Sequence, residues 1–187
     1  MMILGIVGSP RRGGNTEFLT RIALEEIQKQ GIDTELESLA GKEITPCDGC
    51  LGCRTTGKCH IKDDFENIYA KMDQADGFIL ATPVYFGAAT PQMSSLISRC
   101  YAHLTAARAF DNKVGGPIVV ARRAGQNFTL SQLLLFFMIS GMIVPGSTYW
   151  NMAFGEEKGE VIKDDEGVET IRNFARKLAW LTQKLKS

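Results

Sequence analysis

Four of the chain's five cysteines lie close together in the segment CDGCLGCRTTGKC. Cys47, Cys50 and Cys53 recur at every third residue, and Cys59 follows six residues later. A short loop with this spacing can wrap its thiolates around one compact centre, and iron–sulfur clusters are held by sets of four thiolates. The segment therefore indicates an iron–sulfur centre with these four cysteines as its ligands.

Other residues of the segment suit a negatively charged cluster. Glycines permit close approach of backbone N–H groups, and basic side chains supply positive or polarisable groups. The residues concerned are Gly49, Gly52, Gly57, Arg54, Lys58 and His60. Two alternatives stay open, namely a zinc site and thiols that hold no cluster. Structural zinc usually takes two separated ligand pairs, which the middle cysteine of the run fits poorly. Disulfides would need an oxidising compartment, and adjacent pairs this tight would be strained.

Composition indicates one globular domain spanning residues 1–187, with the cysteine loop at residues 46–61. The chain is 44% hydrophobic and 22% charged, and its 21 basic residues balance its 21 acidic ones. No block of like charge resembles a nucleic-acid footprint or a polybasic membrane anchor. The start has no positive region typical of a signal peptide, and the longest apolar run is too short to span a membrane. We expect a cytoplasmic protein that binds neither nucleic acid nor membrane.

Strand and helix patterns alternate along the chain, which predicts an α/β fold with a doubly wound, five-stranded parallel sheet and helices on both faces. The predicted strands are MMILGIVGS, IDTELESL, DGFILATPVY, KVGGPIVVARR and MIVPGSTYW. The predicted helices begin near Asn15, at Asp63 as N-cap, at Pro91, at Gln126 and near Asp164. Phe18 is expected on the apolar stripe of the first helix, and residues 151–163 are expected to form a polar excursion before the last one. In such sheets, ligands bind at the carboxyl ends of the strands.

The third helix, expected to run from residue 91 to residue 107, accounts for the remaining candidate groups. Cys100 falls on its apolar stripe with Leu104, which indicates a buried core thiol. His103 is expected on the helix surface. The helix that follows residue 126 is expected to be core or a subunit contact.

The loop GSPRRGGNT follows the first strand and leads into the first helix. Ser9, Asn15 and Thr16 offer hydroxyl and amide donors, and Gly13 and Gly14 let backbone N–H groups close around an anion. Arg11 or Arg12 adds a full positive charge, and the helix N-terminus adds its dipole. The loop has neither the Rossmann nor the P-loop spacing, so it predicts a site for a single phosphate group. An ordinary βα turn with a capping Asn is the alternative.

The loop ATPVYFGAATP follows the third strand. Pro83 ends that strand, and Tyr85 and Phe86 place aromatic rings in the loop. Backbone groups after Thr82 can contact the polar edge of a planar heterocycle, although packing of the rings beneath the next helix is an equal alternative. Together with the phosphate loop, this segment favours a mononucleotide with a flat ring, such as FMN.

These segments, with ARRAGQNFT after the fourth strand, resemble the three flavin loops of the flavodoxin-like NADPH-dependent FMN reductases. The resemblance covers the chain in order and spacing, and it implies a flavodoxin-like fold, bound FMN, and homodimers or homotetramers. It implies that Ser9, Arg11, Asn15 and Thr16 hold the phosphate, and that Gly14 belongs to the same loop. It further implies that the ring is contacted by Thr82, Pro83, Val84, Tyr85, Phe86, Arg122, Gly125 and Gln126.

Two segments depart from that family's pattern: AGQN in the third loop, and Ser98-Arg99 where an Asp-Arg pair is common. The added cysteine run makes the chain similar to the archaeal-type iron–sulfur flavoproteins, which bind a [4Fe–4S] cluster between the second strand and the next helix. That resemblance implies electron transfer from a ferredoxin-like protein or NAD(P)H to an acceptor, with oxygen and peroxide as candidates. The alternatives are an NAD(P)H-dependent flavin or quinone reductase without a cluster, and a zinc-stabilised binding module. No side chain is singled out as a catalytic acid or base.

Overall fold

Five parallel strands form the centre of the fold, as the alternating pattern predicts. The computed structural model describes residues 1–101 and 108–186. The strands are β1 (Met2–Val7), β2 (Asp33–Ser38), β3 (Gly77–Pro83), β4 (Val114–Ala121) and β5 (Met152–Phe154). They pair in the order β2-β1-β3-β4-β5, and every pair is parallel. The reversal of strand order beside β1 makes the sheet doubly wound.

Helices cover both faces of this sheet. The helices are α1 (Asn15–Gln28), α2 (Cys53–Thr56), α3 (Phe65–Gln74), α4 (Pro91–Arg99), α5 (Gln126–Ile139) and α6 (Asp165–Lys186), with a 3-10 turn at Glu160–Lys163. Core residues of α3, α4 and α5 pack with Leu4 and Ile6 on one face, and those of α1 and α6 pack with Ile3 on the other. No helix within the described residues is both long and apolar enough to cross a membrane.

The predicted last strand is wrong in position. Ile143 makes a single bridge to Val114, and the chain then leaves the sheet. Pro145 has no N–H to donate to a ladder, so pairing cannot continue through it. The chain rejoins the sheet only at Met152–Phe154, inside the segment expected to be a polar excursion. The carboxyl end of β5 therefore delivers residues 155–163 to the same edge as the other loops.

The structure corrects two smaller predictions and confirms a third. Phe18 is 42% exposed, because the buried stripe of α1 runs through Leu19, Ala23 and Ile27 instead. Helix α3 begins at Phe65 with Asp64 at the N-cap position, while the Asp63 carboxylate accepts the N–H of Phe65 and pairs with Arg99. The prediction of a buried Cys100 is confirmed, and burial raises the pKa of its thiol.

The predicted continuation of α4 from residue 102 to residue 107 lies outside the described residues. The expectations for His103 and Leu104 fall in that part of the chain.

A pair of lysines holds β2 against its neighbours through Glu37, which is 6% exposed. Its carboxylate lies 2.5 Å from Lys71 Nζ and 3.0 Å from Lys42 Nζ. Burial disfavours the charged carboxylate, but the two lysines outweigh that effect and lower the pKa of Glu37. The two ion pairs therefore stabilise the folded protein at pH values above the pKa of a free glutamate. This contribution is lost as the pH falls through the lowered pKa of Glu37.

We expect Glu37→Gln to lower the free energy of unfolding at pH 7 by about 1–3 kcal/mol, because it removes charge-assisted hydrogen bonds. The deficit should shrink as the pH falls through the lowered pKa of Glu37, where the wild-type carboxylate becomes protonated. Urea unfolding at pH 7 and at low pH measures both values, with the exposed Glu25→Gln as control. A deficit that is equal at both pH values would contradict the assignment.

Candidate functional site

The phosphate loop forms a tight turn at the carboxyl end of β1. The N–H of Arg11 donates to Ser9 Oγ at 3.2 Å, and the N–H of Gly14 donates to the Arg11 carbonyl at 3.3 Å. Helix α1 begins directly afterwards at Asn15, so its N-terminal N–H groups and positive dipole end lie at the edge of the sheet. Free N–H groups at a helix N-terminus stabilise a bound anion, and the turn places this N-terminus at the edge of the sheet.

A buried threonine network joins the phosphate loop to the ring loop. Thr90 Oγ1 donates to the Gly8 carbonyl at 2.7 Å, and the N–H of Thr90 donates to Thr82 Oγ1 at 3.2 Å. Both threonines are completely buried. Thr82 therefore lies beneath the site and fixes the spacing of the two loops through its side chain.

The ring loop turns back on itself at its tip. Tyr85 and Ala88 exchange backbone hydrogen bonds of 2.9 and 3.0 Å, with Phe86 and Gly87 at the corner. Both corner residues have positive φ, +51° for Phe86 and +77° for Gly87, which is the geometry of a type I′ turn. The side chain of Phe86 is fully exposed as a result, on the outside of the loop.

These loops enclose a cavity of about 280 Å³ at the carboxyl edge of the sheet. Nine residues predicted from the sequence line it: Ser9, Arg11, Gly14, Asn15, Thr16, Pro83, Val84, Tyr85 and Arg122. The cavity is cationic at its phosphate-loop end and has an aromatic and an aliphatic side chain at its ring-loop end. That distribution suits a ligand with a phosphate group and a flat ring.

Four predicted residues lie beside this cavity and do not line it: Thr82, Phe86, Gly125 and Gln126. Gly125 has φ +88°, and a Cβ there would lie 3.0 Å from Val84 and 3.1 Å from Gly87. The third loop therefore packs directly against the ring loop. Direct contact of these four residues with a ligand stays a prediction.

The segment after β5 supplies lining residues that the sequence did not indicate. These are Gly155, Glu156 and Lys158, which line the cavity together with Arg12 and Val120. Lys158 lies over the phosphate loop, since a Cβ built on Gly13 would be 3.2 Å from its Nζ. Glu156 pairs with Arg122 at 3.3 Å across the exposed rim. Loops that follow parallel strands emerge at one edge of the sheet, so a correct prediction of β5 would have indicated Gly155, Glu156 and Lys158 as lining residues.

Asn15 holds this added segment in position. Its Nδ2 donates to the Glu157 carbonyl at 2.8 Å, and its Oδ1 accepts from the N–H of Val161 at 3.4 Å. The side-chain amide is thus engaged with residues of the segment, which leaves the backbone N–H of Asn15 to face an anion. The predicted contact between the Asn15 side chain and a phosphate stays a prediction.

Glu17 occupies one backbone donor of the phosphate loop. Its carboxylate accepts the N–H of Gly13 at 2.8 Å and pairs with Arg21 at 2.8 Å. Burial disfavours the charged form, but these contacts outweigh it and lower the pKa of Glu17. The ionised side chain stabilises the loop from the side of α1.

The four clustered cysteines line a second, smaller cavity. Helix α2 is a single turn over Cys53–Thr56 with Gly57 as its C-cap, and the N–H of Gly57 donates to the Cys53 carbonyl at 2.8 Å. Cys47 and Cys50 are exposed, Cys53 and Cys59 are half-buried, and all four are free thiols. The cavity that they line together is completed by Asp48, Leu51, His60, Ser98, Arg99 and Tyr101. Four thiols around one space form the ligand set of an iron–sulfur cluster, so the residues present fit that group.

Asp48 adds a further ligand group beside the thiols. Its carboxylate lies 2.7 Å from His60 Nε2 and accepts the N–H of Cys50 at 3.1 Å. The N–H of Gly52 favours the Cys50 thiolate, but Asp48 outweighs it and raises the pKa of that thiol. Among the described residues, ligand atoms of Asp48, Cys50 and His60 lie within 4.8 Å of one another, which is also close enough for a single metal ion.

Known proteins resemble this chain along its whole length. The family model for NADPH-dependent FMN reductase matches residues 1–157. An iron–sulfur flavoprotein of Methanocaldococcus jannaschii is 43% identical, with 100% of each chain covered. Among solved structures, RosB with a bound riboflavin-5′-phosphate derivative superposes with a TM-score of 0.78 at 20% identity, covering 100% of this chain and 80% of RosB. A WrbA-like flavodoxin of Agrobacterium tumefaciens gives 0.71 at 17% identity, covering 98% and 97%.

The two structural neighbours share the flavodoxin-like fold, and the curated relative shares the sequence over its full length. The chain therefore belongs to the NADPH-dependent FMN reductase family, within it to the iron–sulfur flavoproteins, and is a flavin-dependent oxidoreductase.

Proposed function

We propose that this protein binds FMN and a [4Fe–4S] cluster and transfers electrons from a ferredoxin-like protein or NAD(P)H to an acceptor such as oxygen or peroxide. The observation that carries the proposal is that two cavities of different chemistry occur in one chain. One is built from a phosphate loop and a ring loop, and the other is lined by four thiols. FMN supplies two-electron chemistry that can be divided into single steps, and the cluster supplies one-electron chemistry.

The protein's own residues bind and orient these groups. Arg11 and Lys158 neutralise the FMN phosphate at the N-terminus of α1, and Tyr85 and Val84 contact the ring. The turn at Phe86 and the buried threonines keep the ring loop at a fixed distance from the phosphate loop. Cys47, Cys50, Cys53 and Cys59 bind iron as thiolates. Rigid placement of the two groups is what the polypeptide contributes to electron transfer.

A zinc-stabilised loop is a second candidate, because Asp48, Cys50 and His60 bring three ligand types together. A reductase that uses NAD(P)H without a cluster is a third. Anaerobic purification followed by metal, sulfide and flavin analysis separates the three. Iron and sulfide together with flavin support the proposal, flavin alone supports the reductase, and zinc in a colourless protein supports the binding module.

We expect the double variant Arg11→Ala, Lys158→Ala to bind FMN about 10- to 100-fold more weakly, because each substitution removes a cation from the phosphate end of the cavity. Affinity for riboflavin, which lacks the phosphate, should change little. Titration of the apoprotein followed by flavin fluorescence measures both constants.

Arg123→Ala serves as the matched control for this experiment, since Arg123 is exposed and does not line the cavity. Its FMN affinity should match that of the wild type. Equal losses of FMN and riboflavin affinity in the double variant would show that the cationic end of the cavity does not bind the phosphate.

We expect Cys53→Ala to lose bound iron and acid-labile sulfide while it keeps FMN, because three thiolates leave one iron of the cluster without a protein ligand. The measurement is iron, sulfide and FMN content after anaerobic reconstitution. Cys100→Ala is the control, since this fifth cysteine is buried in the core and does not line the cavity of the four thiols. Full iron content in Cys53→Ala would remove Cys53 from the ligand set.

We further propose that the protein forms homodimers or homotetramers through α5. This helix exposes Phe128, Leu135, Met138 and Ile139, which are 65–82% accessible and recur at helical spacing. A group of exposed apolar side chains on one helix is typical of a protein–protein contact. Two copies of one helix can cover each other across a two-fold axis.

The double variant Leu135→Lys, Ile139→Lys should therefore shift the protein to a smaller species in sedimentation velocity. The exposed Leu185→Lys on α6 should leave the wild-type species unchanged. A wild-type protein that sediments as a monomer at all concentrations would contradict the assembly, and an unaltered oligomer in the double variant would place the contact elsewhere.

A further inference from the structure

Arg99 lies buried at the base of the cysteine loop. It is the last residue of α4, and its side chain has no exposed surface. Its Nη1 donates to the Thr45 carbonyl at 3.3 Å, and its Nη2 donates to the Ile61 carbonyl at 3.1 Å. Nη1 also pairs with the Asp63 carboxylate at 2.5 Å. Thr45 directly precedes the loop of residues 46–61 and Ile61 ends it, so one side chain holds both ends of the loop.

The partners of Arg99 are themselves fixed. The Asp63 carboxylate accepts the N–H of Thr45 at 2.8 Å and the N–H of Phe65 at 3.1 Å. The guanidinium also lies over the ring of Phe65, 4.3 Å from its centroid. A buried ion pair resists disruption most when its other hydrogen bonds are satisfied, and removal of one partner leaves an uncompensated charge. The contact is therefore a rigid clamp, in contrast to an exposed surface pair.

The same arginine reaches the metal side of the loop. Arg99 lines the small cavity that the four cysteines share. Its Nε is buried and has no hydrogen-bond partner among the described residues. A planar guanidinium with five donors can hold two carbonyls and a carboxylate at once, which a lysine ammonium on a single flexible stem cannot do in the same geometry.

We propose that Arg99 is the positioning residue of the cysteine loop: it clamps residues 45 and 61–63 together, so that the four thiols face one cavity and can bind the cluster. The inference rests on the proposed function for the identity of that cluster. The clamp itself is a property of the chain, and it can be measured without iron. Outer groups that orient metal ligands typically change metal affinity by about 10- to 100-fold when they are removed.

The first test uses the iron-free, FMN-bound protein and limited trypsin digestion, because Arg54 and Lys58 provide cleavage sites inside the loop. We expect Arg99→Gln to be cut at these sites at least about tenfold faster than the wild type, with unchanged FMN affinity. Arg99→Lys should be cut at a rate between those of Arg99→Gln and the wild type, since lysine keeps the positive charge but lacks the planar guanidinium with its several donors. Arg176→Gln is the control, because Arg176 pairs with Glu26 and Glu169 on the opposite face of the sheet.

The second test measures the release of iron from the reconstituted protein to a chelator under anaerobic conditions. Release should be about tenfold faster in Arg99→Gln, intermediate in Arg99→Lys and unchanged in Arg176→Gln. Wild-type rates of both cleavage and release in Arg99→Gln would overturn the proposal. Faster cleavage with unchanged iron release would also overturn it, because the clamp would then not serve the metal ligands.

Asp63→Asn provides an independent test should Arg99→Gln fail to fold. It keeps the arginine and the side-chain volume but removes the ionic partner, so it should show the same two changes to a smaller extent. A wild-type loop and wild-type iron retention in Asp63→Asn would overturn the proposal. A wild-type protein that takes up no iron and sulfide would defeat the proposed function, whereas the trypsin comparison would still decide whether Arg99 holds the loop.

Discussion

Parallel pairing of the strands is the constraint on which the flavin cavity depends. Because every strand in the sheet runs in the same direction, the loops after β1, β3, β4 and β5 all emerge at one edge. The N-terminus of α1 lies at that edge as well, with its unpaired N–H groups directed to the same space. The proposed anion binding at one end of the cavity and ring contacts at the other therefore follow from topology, and the side chains add to a site that the backbone provides.

The cysteine loop is held in place by different contacts. It has no strand within it, only one turn of helix, and its thiols are exposed or half-buried. No regular structure within the loop brings the four thiols to one cavity. The loss of conformational entropy on ordering the loop opposes that arrangement. The scaffold offsets that cost at the two ends of the loop, where the buried pair of Arg99 and Asp63 joins α4 to residues 45 and 61. The proposed flavin site is thus built by the sheet, and the proposed metal site depends on the contact between a helix and a loop.

Local patterns explain what the sequence could predict. The phosphate loop combines a strand end, two glycines and a helix start within a few residues, so its position and chemistry follow from adjacent positions. Lys158 and Glu156 could not be found in the same way, because their approach depends on where β5 joins the sheet, and Pro145 delays that pairing. In the sequence, Arg99 stood out only as the neighbour of Ser98, which replaces the Asp of a common Asp-Arg pair. Its partners lie 36 to 54 residues away in the chain, and no local spacing reports such contacts.

Under the proposed function, a single chain holds a flavin and a cluster that both store electrons. An anaerobic reductive titration of the reconstituted protein, followed by visible absorbance, measures the number of electrons taken up by each chain. We expect an uptake of about three electrons, because a flavin accepts two and a cluster accepts one. An uptake of about two with absorbance changes confined to the flavin bands would contradict it.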